Sequence, residues 1–186
     1  MKNQFPSCLA KQLIDKFSYN PPGTPDLLLV TGPQGSGKTT WCMELSEYAR
    51  DSGFTVKGLI SPAVFMDSRK VGIDLLDLAS NERRTLAVLR PPILQDTSNF
   101  GLCWQFDDEV VAWGDYILAS LGTCDLLIID ELGPLEFTHG VGWQAALSLI
   151  SAREYRLACI VIRPSFIDKA IERWPWGQVM PVTHTL

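Results

Sequence analysis

Cysteine and histidine are too few and too scattered in this sequence to form a zinc site or a disulfide framework. Only two histidines are present, and no two cysteines have the C-x-x-C spacing of a metal or redox motif. The cysteines are Cys8, Cys42, Cys103, Cys124 and Cys159. An odd number without paired spacing predicts reduced thiols, most of them small residues of the core.

Basic residues are outnumbered, and long apolar runs are missing. The 16 Lys and Arg against 21 Asp and Glu give a net charge of −5, whereas nucleic-acid-binding domains usually have a positive excess. No apolar run approaches the roughly 20 residues of a membrane-spanning helix, and the first residues lack a basic-then-apolar secretion signal. We therefore expect a cytoplasmic protein without a membrane or nucleic-acid partner. The sequence indicates no particular protein partner.

The length and composition predict one domain with an N-terminal extension. A chain of 186 residues with 46% hydrophobic residues can bury a single core. We assign residues 1–25 to the extension and residues 26–186 to the domain. The extension is predicted to hold a short helix, which ends at the Pro- and Gly-rich loop of residues 20–25. This helix either packs over one edge of the sheet or binds a partner.

The most informative segment lies between an apolar strand and a helix, and it has the pattern G-x-x-x-x-G-K-[ST]. Its residues are Gly32, Pro33, Gln34, Gly35, Ser36, Gly37, Lys38, Thr39 and Thr40. A loop of this kind turns backbone N–H groups toward a phosphate at the positive end of the helix dipole. The sequence therefore predicts a P-loop that binds a nucleoside triphosphate such as ATP or GTP. In it, Lys38 would reach the β- and γ-phosphates and the Thr39 hydroxyl would bind Mg²⁺.

Strands and helices alternate along most of the chain, and several strands are almost wholly apolar. Such strands are typical of a parallel sheet that is covered by helices on both faces. Between residues 63 and 89, short strands joined by tight polar turns instead indicate an antiparallel β-meander. The predicted fold class is α/β, with a mostly parallel central sheet and a β-meander insertion.

A second informative segment is the apolar strand that ends in Asp130 and Glu131. Beside a P-loop, Asp130 would complete the Mg²⁺ shell opposite Thr39. Glu131 would orient or deprotonate the water that attacks the γ-phosphorus. Alternatively, the two carboxylates only end the strand in solvent.

For two further residues, the sequence allows both a functional and a structural role. Glu136 either returns toward the phosphates or caps the next helix. Arg163 follows an apolar strand, so it should share a sheet edge with Lys38 and Asp130 and stabilise the transferring phosphoryl group. Otherwise it forms a surface salt bridge. The N-K-x-D motif that reads guanine is absent, so the sequence does not determine the base.

Taken together, these segments resemble the nucleoside-triphosphatase family first described from hyperthermophiles. The resemblance covers roughly residues 27–173 and rests on four stretches: Gly32–Thr40, Lys57–Pro62, Lys70–Leu75 continuing to Leu86 and Ala87, and Ile129–Glu136. It implies a three-layer, RecA-like P-loop fold and slow, Mg²⁺-dependent hydrolysis of ATP, GTP and other nucleoside triphosphates. The sequence departs from the family at Ala63-Val64-Phe65, where a Glu-Val-Arg triplet is usual, and at Ile73, where phenylalanine is usual.

Two other functions share these motifs. A P-loop kinase would transfer the phosphate to an acceptor and would need lid arginines, for which Arg83, Arg84 and Arg90 are available. A nucleotide-gated adaptor would use slow turnover to time a partner interaction. A glutamate placed to activate water favours hydrolysis, because a kinase must exclude water from its site.

Overall fold

The computed structural model describes residues 6–18, 25–90 and 104–182, which form a three-layer α/β structure. The helices are α1 (Pro6–Ser18), α2 (Lys38–Asp51), α3 (Asp108–Ser120), α4 (Gln144–Ala152) and α5 (Ile167–Arg173). The strands are β1 (Asp26–Thr31), β2 (Val56–Ile60), β3 (Ala63–Met66), β4 (Arg69–Asp77), β5 (Arg83–Leu89), β6 (Trp104–Phe106), β7 (Cys124–Leu132), β8 (Tyr155–Ile162) and β9 (Gln178–Pro181). A π-helical turn spans Leu135–His139, and a 3₁₀ turn spans Pro164–Phe166.

The nine strands of the described residues belong to one sheet in the order β6-β5-β4-β2-β7-β8-β1-β9, with β3 paired to β4. The pairs β2–β7, β7–β8, β8–β1 and β1–β9 are parallel. Strand β8 therefore separates β1, which leads into the P-loop, from β7, which carries Asp130. Because parallel strands end at the same edge of a sheet, the carboxyl ends of β1, β7 and β8 meet there.

The predicted β-meander is confirmed, and it extends the central sheet. Strands β3, β4, β5 and β6 pair antiparallel with their neighbours, and β4 joins them to β2. These strands bury fewer side chains than β7 or β8, and the side chains of Phe65 and Met66 in β3 are exposed. The fold class predicted from the sequence is therefore confirmed.

Two hydrophobic clusters fill the space on either side of the sheet. On one side, α3, α4 and α5 pack against the sheet, with Leu29, Ile129 and Ile160 among the buried strand residues. On the other side, α1 and α2 cover the neighbouring strand positions, including Val30 and Ile128. Adjacent residues of one strand thus face opposite layers, which explains why β7 and β8 are apolar along nearly their whole length.

The N-terminal helix α1 packs against α2 and is part of the second cluster. Ala10, Ile14 and Phe17 are buried there, and the ring of Phe17 lies 5.9 Å from that of Phe54. These contacts correspond to a helix that packs on the domain, against α2. The division of the chain at residue 25 stays a prediction.

Some sequence-based expectations fall on parts of the chain that the structure does not describe. They are the loop of residues 20–24, residues 91–103 with Cys103, and the side chains of Ser7, Cys8 and Leu9. In the described part of the chain, Cys42, Cys124 and Cys159 are free thiols. No helix in that part is both long and apolar enough to cross a membrane.

Candidate active site

The P-loop connects the end of β1 to the first turn of α2. Gly35 and Gly37 have φ angles of 76° and 88°, left-handed values that favour glycine over residues with a Cβ. Ser36 N donates to Pro33 O at 3.2 Å, and Trp41 N donates to Gly37 O at 2.8 Å. No side chain caps the N-terminus of α2. The N–H groups of this first turn can therefore bind an anion.

Lys38 lies on the first turn of α2, and its side chain folds back over the loop. Its Nζ donates to the carbonyl oxygens of Gly32 at 2.9 Å and Pro33 at 2.8 Å. Ser36 Oγ lies 3.5 Å from the same nitrogen. These contacts keep a positive charge at the mouth of the loop, beside the exposed residues Gln34 and Gly35.

Asp130 is almost fully buried, at 3% exposure, and contacts the start of α2. Burial raises the pKa of its carboxyl group to about 6, against hydrogen bonds from the Thr39 hydroxyl and the Ser61 N–H that lower it. Ser61 N lies 3.2 Å from Asp130 Oδ2. The two residues expected to bind Mg²⁺, Thr39 and Asp130, thus lie together.

The donors around Asp130 fit a magnesium ion that keeps part of its water shell. Within the described residues, no three His, Cys, Asp or Glu side chains come together in a cluster that could enclose a metal. Mg²⁺ prefers one or two carboxylates, phosphate oxygens and several waters to such a cage. Next to Asp130, the buried Ser61 Oγ has no hydrogen-bond partner among the residues that the structure describes. Buried polar groups normally have a hydrogen-bond partner, and a metal-bound water would supply one to this hydroxyl.

Glu131 lies in an irregular part of β7, where the pairing with β8 shifts register between Ile129 and Leu132. Its φ angle is 83°, a left-handed value that is uncommon for a residue with a Cβ. The sequence predicted that the strand would end at this residue, whereas β7 continues to Leu132. The irregularity directs the Glu131 carboxylate to the sheet edge, where it forms an ion pair with Arg163. A residue with a Cβ held in this region costs about 1–3 kcal/mol, and active sites are among the places where such residues cluster.

Arg163 follows β8 directly and lies beside Glu131, at the sheet edge that the parallel strand order predicts. Its backbone N–H donates to Leu132 O at 3.3 Å. The side chains of Arg163 and Glu131 are 48% and 43% exposed. Arg163 is therefore a salt-bridge residue whose partner is the carboxylate expected to activate water.

Glu136 lies in the π-helical turn after β7, which the sequence did not predict. Its carboxylate accepts hydrogen bonds from Gly133 N and Trp143 N. Trp143 is the residue at the N-terminus of α4, so this contact corresponds to the helix-capping alternative.

Ser61 is the one site residue to which sequence reasoning assigned no role. The available signal was a polar residue directly after an apolar strand, at the edge where ligands bind parallel sheets. Its place beside Asp130 depends on the pairing of β2 with β7. That pairing is not visible from local spacing.

A protein-family model described as NTPase matches residues 27–185 of this chain. The chain belongs to this nucleoside-triphosphatase family. The nucleoside-triphosphatase THEP1 of Thermococcus kodakarensis is 31% identical over 160 residues, covering 86% of this chain and 84% of that protein. THEP1 of Methanothermobacter thermautotrophicus is 35% identical over 112 residues, covering 59% of this chain and 61% of that protein. The family resemblance inferred from the sequence motifs is confirmed.

Two solved structures of nucleoside triphosphatases have the same fold as this family member. The solution structure of a human cancer-related nucleoside triphosphatase aligns with a TM-score of 0.63 at 21% identity, over 87% of this chain and 90% of that one. The crystal structure of THEP1 from Aquifex aeolicus aligns with a TM-score of 0.56 at 15% identity, over 85% of this chain and 90% of that one.

Proposed function

We propose that this protein hydrolyses nucleoside triphosphates, ATP and GTP among them, to the diphosphate and inorganic phosphate, with Mg²⁺ as cofactor. The observation that supports the proposal is the contact between Thr39 and Asp130 at the base of a P-loop. Glu131 lies one residue further along the same strand. The relatives named nucleoside-triphosphatase THEP1 support the same reaction.

In this mechanism the P-loop binds the phosphates through the backbone N–H groups of residues 34–40. Lys38 exchanges its loop carbonyls for oxygens of the β- and γ-phosphates. Thr39 and Asp130 would hold the magnesium ion, and the Ser61 hydroxyl would bind one of its waters. When bound, Mg²⁺ neutralises charge on the β- and γ-phosphates.

Glu131 then orients a water in line with the γ-phosphorus and accepts its proton as the new P–O bond forms. The bond from the γ-phosphorus to the bridging oxygen breaks, and the diphosphate leaves with the electron pair. Arg163 holds this carboxylate through their ion pair and would stabilise charge on the transferring group.

A kinase reaction has less support because two of its candidate lid arginines are engaged elsewhere. Arg84 binds Glu82 at 2.7 Å and stacks on the ring of Trp113. Arg83 lies 3.7 Å from Asp74. Both arginines belong to β5, in the β-meander. Neither the kinase nor the adaptor alternative is favoured by the relatives.

We also propose that the protein acts in the cytoplasm and that its ligand is the nucleotide, without a nucleic acid. The free thiols of Cys42, Cys124 and Cys159 fit a reducing compartment. The net charge of −5 disfavours binding to a polyanion. Cell fractionation and a filter-binding assay would test the two statements.

The reaction is tested by phosphate release from several nucleoside triphosphates over a range of Mg²⁺ concentrations. We expect the wild-type protein to need Mg²⁺. The Asp130→Asn variant should require a Mg²⁺ concentration at least about tenfold higher, because one negative charge that binds the metal is lost. The matched control is Asp74→Asn in the β-meander, which should keep the wild-type Mg²⁺ dependence. An unchanged Mg²⁺ requirement in Asp130→Asn would show that this carboxylate does not hold the metal.

Replacing Arg163 with alanine is expected to slow turnover by about 10²-fold or more, as for a residue that stabilises phosphoryl charge. The loss of stability should be small, about 0–1 kcal/mol, because both partners of its ion pair are half exposed. Single-turnover phosphate release and urea unfolding measure the two effects. Unchanged turnover would show that Arg163 only forms a surface salt bridge.

A further inference from the structure

Glu136 is a buried carboxylate whose two oxygens both bind backbone N–H groups of its own segment. It is 8% exposed. Oε2 accepts from Gly133 N at 2.9 Å, and Oε1 accepts from Trp143 N at 3.1 Å. Burial raises the pKa of this carboxyl group, although the two N–H groups lower it. The side chain therefore links the first residue after β7 to the start of α4.

Gly133, held by this link, lies directly against the side chain of Arg163. A Cβ at Gly133 would be 3.2 Å from Arg163 Cδ and 3.3 Å from Arg163 Nε. The preceding residue, Leu132, accepts the Arg163 backbone N–H. Leu132 and Gly133 thus form the surface on which Arg163 rests, and a shift of this surface would move the guanidinium group.

The same guanidinium group binds the carboxylate of Glu131 through Nε. Contacts therefore run without a gap from Glu136 through Gly133 and Arg163 to Glu131. We propose that Glu136 is a positioning residue that holds the Arg163–Glu131 pair in place for attack by water. This inference rests on the proposed function, because it needs Glu131 to activate water.

A double-mutant cycle of Glu136 and Arg163 tests this role. Glutamine at residue 136 offers one acceptor oxygen and places an NH₂ group against a second N–H donor. We expect Glu136→Gln to lower kcat by about 10- to 100-fold, as small misplacements of catalytic groups do, with the KM for ATP within about twofold of wild type. In the Arg163→Ala background, the same substitution should lower kcat by less than about twofold further, since coupled residues are not additive.

Asp115 supplies the matched control. Its carboxylate accepts from Ala145 N at 2.8 Å, two residues beyond the Trp143 N–H that Glu136 binds. Asp115→Asn removes a carboxylate charge beside the start of α4, as Glu136→Gln does. Its amide oxygen can still accept from Ala145 N, and the hydrogen bonds that Glu136 accepts from Gly133 N and Trp143 N are kept. We expect its kcat to stay within about twofold of wild type in either background, because distant sites without shared partners act independently.

Gly133→Ala is a second variant, for use if Glu136→Gln does not fold. It keeps both hydrogen bonds of Glu136, and the backbone of Gly133 is not in the left-handed region. Its Cβ displaces Arg163, so it should lower kcat in the wild-type background and add little in the Arg163→Ala background. Circular dichroism verifies that each variant is folded.

The proposal is overturned if Glu136→Gln and Gly133→Ala lower kcat by the same factor with and without Arg163, or if Asp115→Asn lowers it as much. A wild-type protein that releases no phosphate from any nucleoside triphosphate would instead overturn the proposed function. The positioning role of Glu136 would then be overturned as well, because it depends on that function. The two failures are distinguished by the wild-type assay alone.

Discussion

Glu131→Gln is expected to bind ATP and Mg²⁺ with wild-type affinity while its turnover falls by about 10²–10⁴-fold, the usual contribution of a positioned base. Glutamine keeps the size of the side chain and one acceptor oxygen, but it cannot take a proton from water. The P-loop and Asp130 are unchanged in this variant. The substitution should therefore lower the turnover rate without changing the affinity for ATP.

Calorimetry of ATP binding and single-turnover phosphate release measure the two effects side by side. The ion pair with Arg163 is also lost, but both side chains are half exposed, so the cost in stability should stay within about 1 kcal/mol. Glu154→Gln, in the exposed turn before β8, is the control for a lost surface carboxylate and should behave as wild type.

Wild-type turnover in Glu131→Gln would mean that the base is another group. Glu136, the nearest alternative in sequence, is a poor replacement because both of its oxygens accept backbone N–H groups. In a kinase, the acceptor is activated in place of water, so the variant would keep its slow background hydrolysis. The result therefore also separates a hydrolase from a kinase.

Lys38→Ala is expected to remove measurable hydrolysis, a loss of about 10³-fold or more, while the protein stays folded. Lys38 is the only charged residue between Gly32 and Thr40. Its Nζ donates to two loop carbonyls and lies at the surface of the loop. Water can satisfy these carbonyls once the amine is removed, so the loss of stability should be about 1 kcal/mol.

The measurement is phosphate release from ATP and GTP, with urea unfolding as the test of folding. Lys57→Ala is the matched control. Its Nζ donates to Gly122 O at 3.3 Å, just before β7 begins and thus at the opposite edge of the sheet. Wild-type phosphate release from a folded Lys38→Ala protein would contradict the P-loop assignment.

Local spacing was enough to predict the P-loop, because its chemistry lies within nine consecutive residues. Gly35 and Gly37 have the left-handed backbone that the loop requires, and Lys38 follows at the start of α2. The alternation of apolar strands and amphipathic helices was also predictable from local sequence. Because the sheet is covered on both faces, its central strands are apolar along nearly their whole length. The family resemblance depended on such short segments and is confirmed by the family match.

The arrangement around Glu131 could not be read from spacing. That Arg163 would share its edge followed from parallel strands, but the ion pair between the two side chains depends on β7 and β8 being neighbours. The shift in register at Asp130 and Glu131 breaks the regular alternation of the strand. No local pattern of residues indicates such an irregularity.

The sequence by itself determined the P-loop, the acidic end of β7 and the α/β class, because each depends on residues close together in the chain. Only the tertiary structure decided that Ser61 lies beside Asp130, that Arg163 binds Glu131, and that Glu136 turns inward to bind Gly133 and Trp143. The physical reason is that strand order and burial bring together groups far apart in the chain, such as Ser61 and Asp130, which are 69 positions apart. Only these contacts determine which polar groups pair.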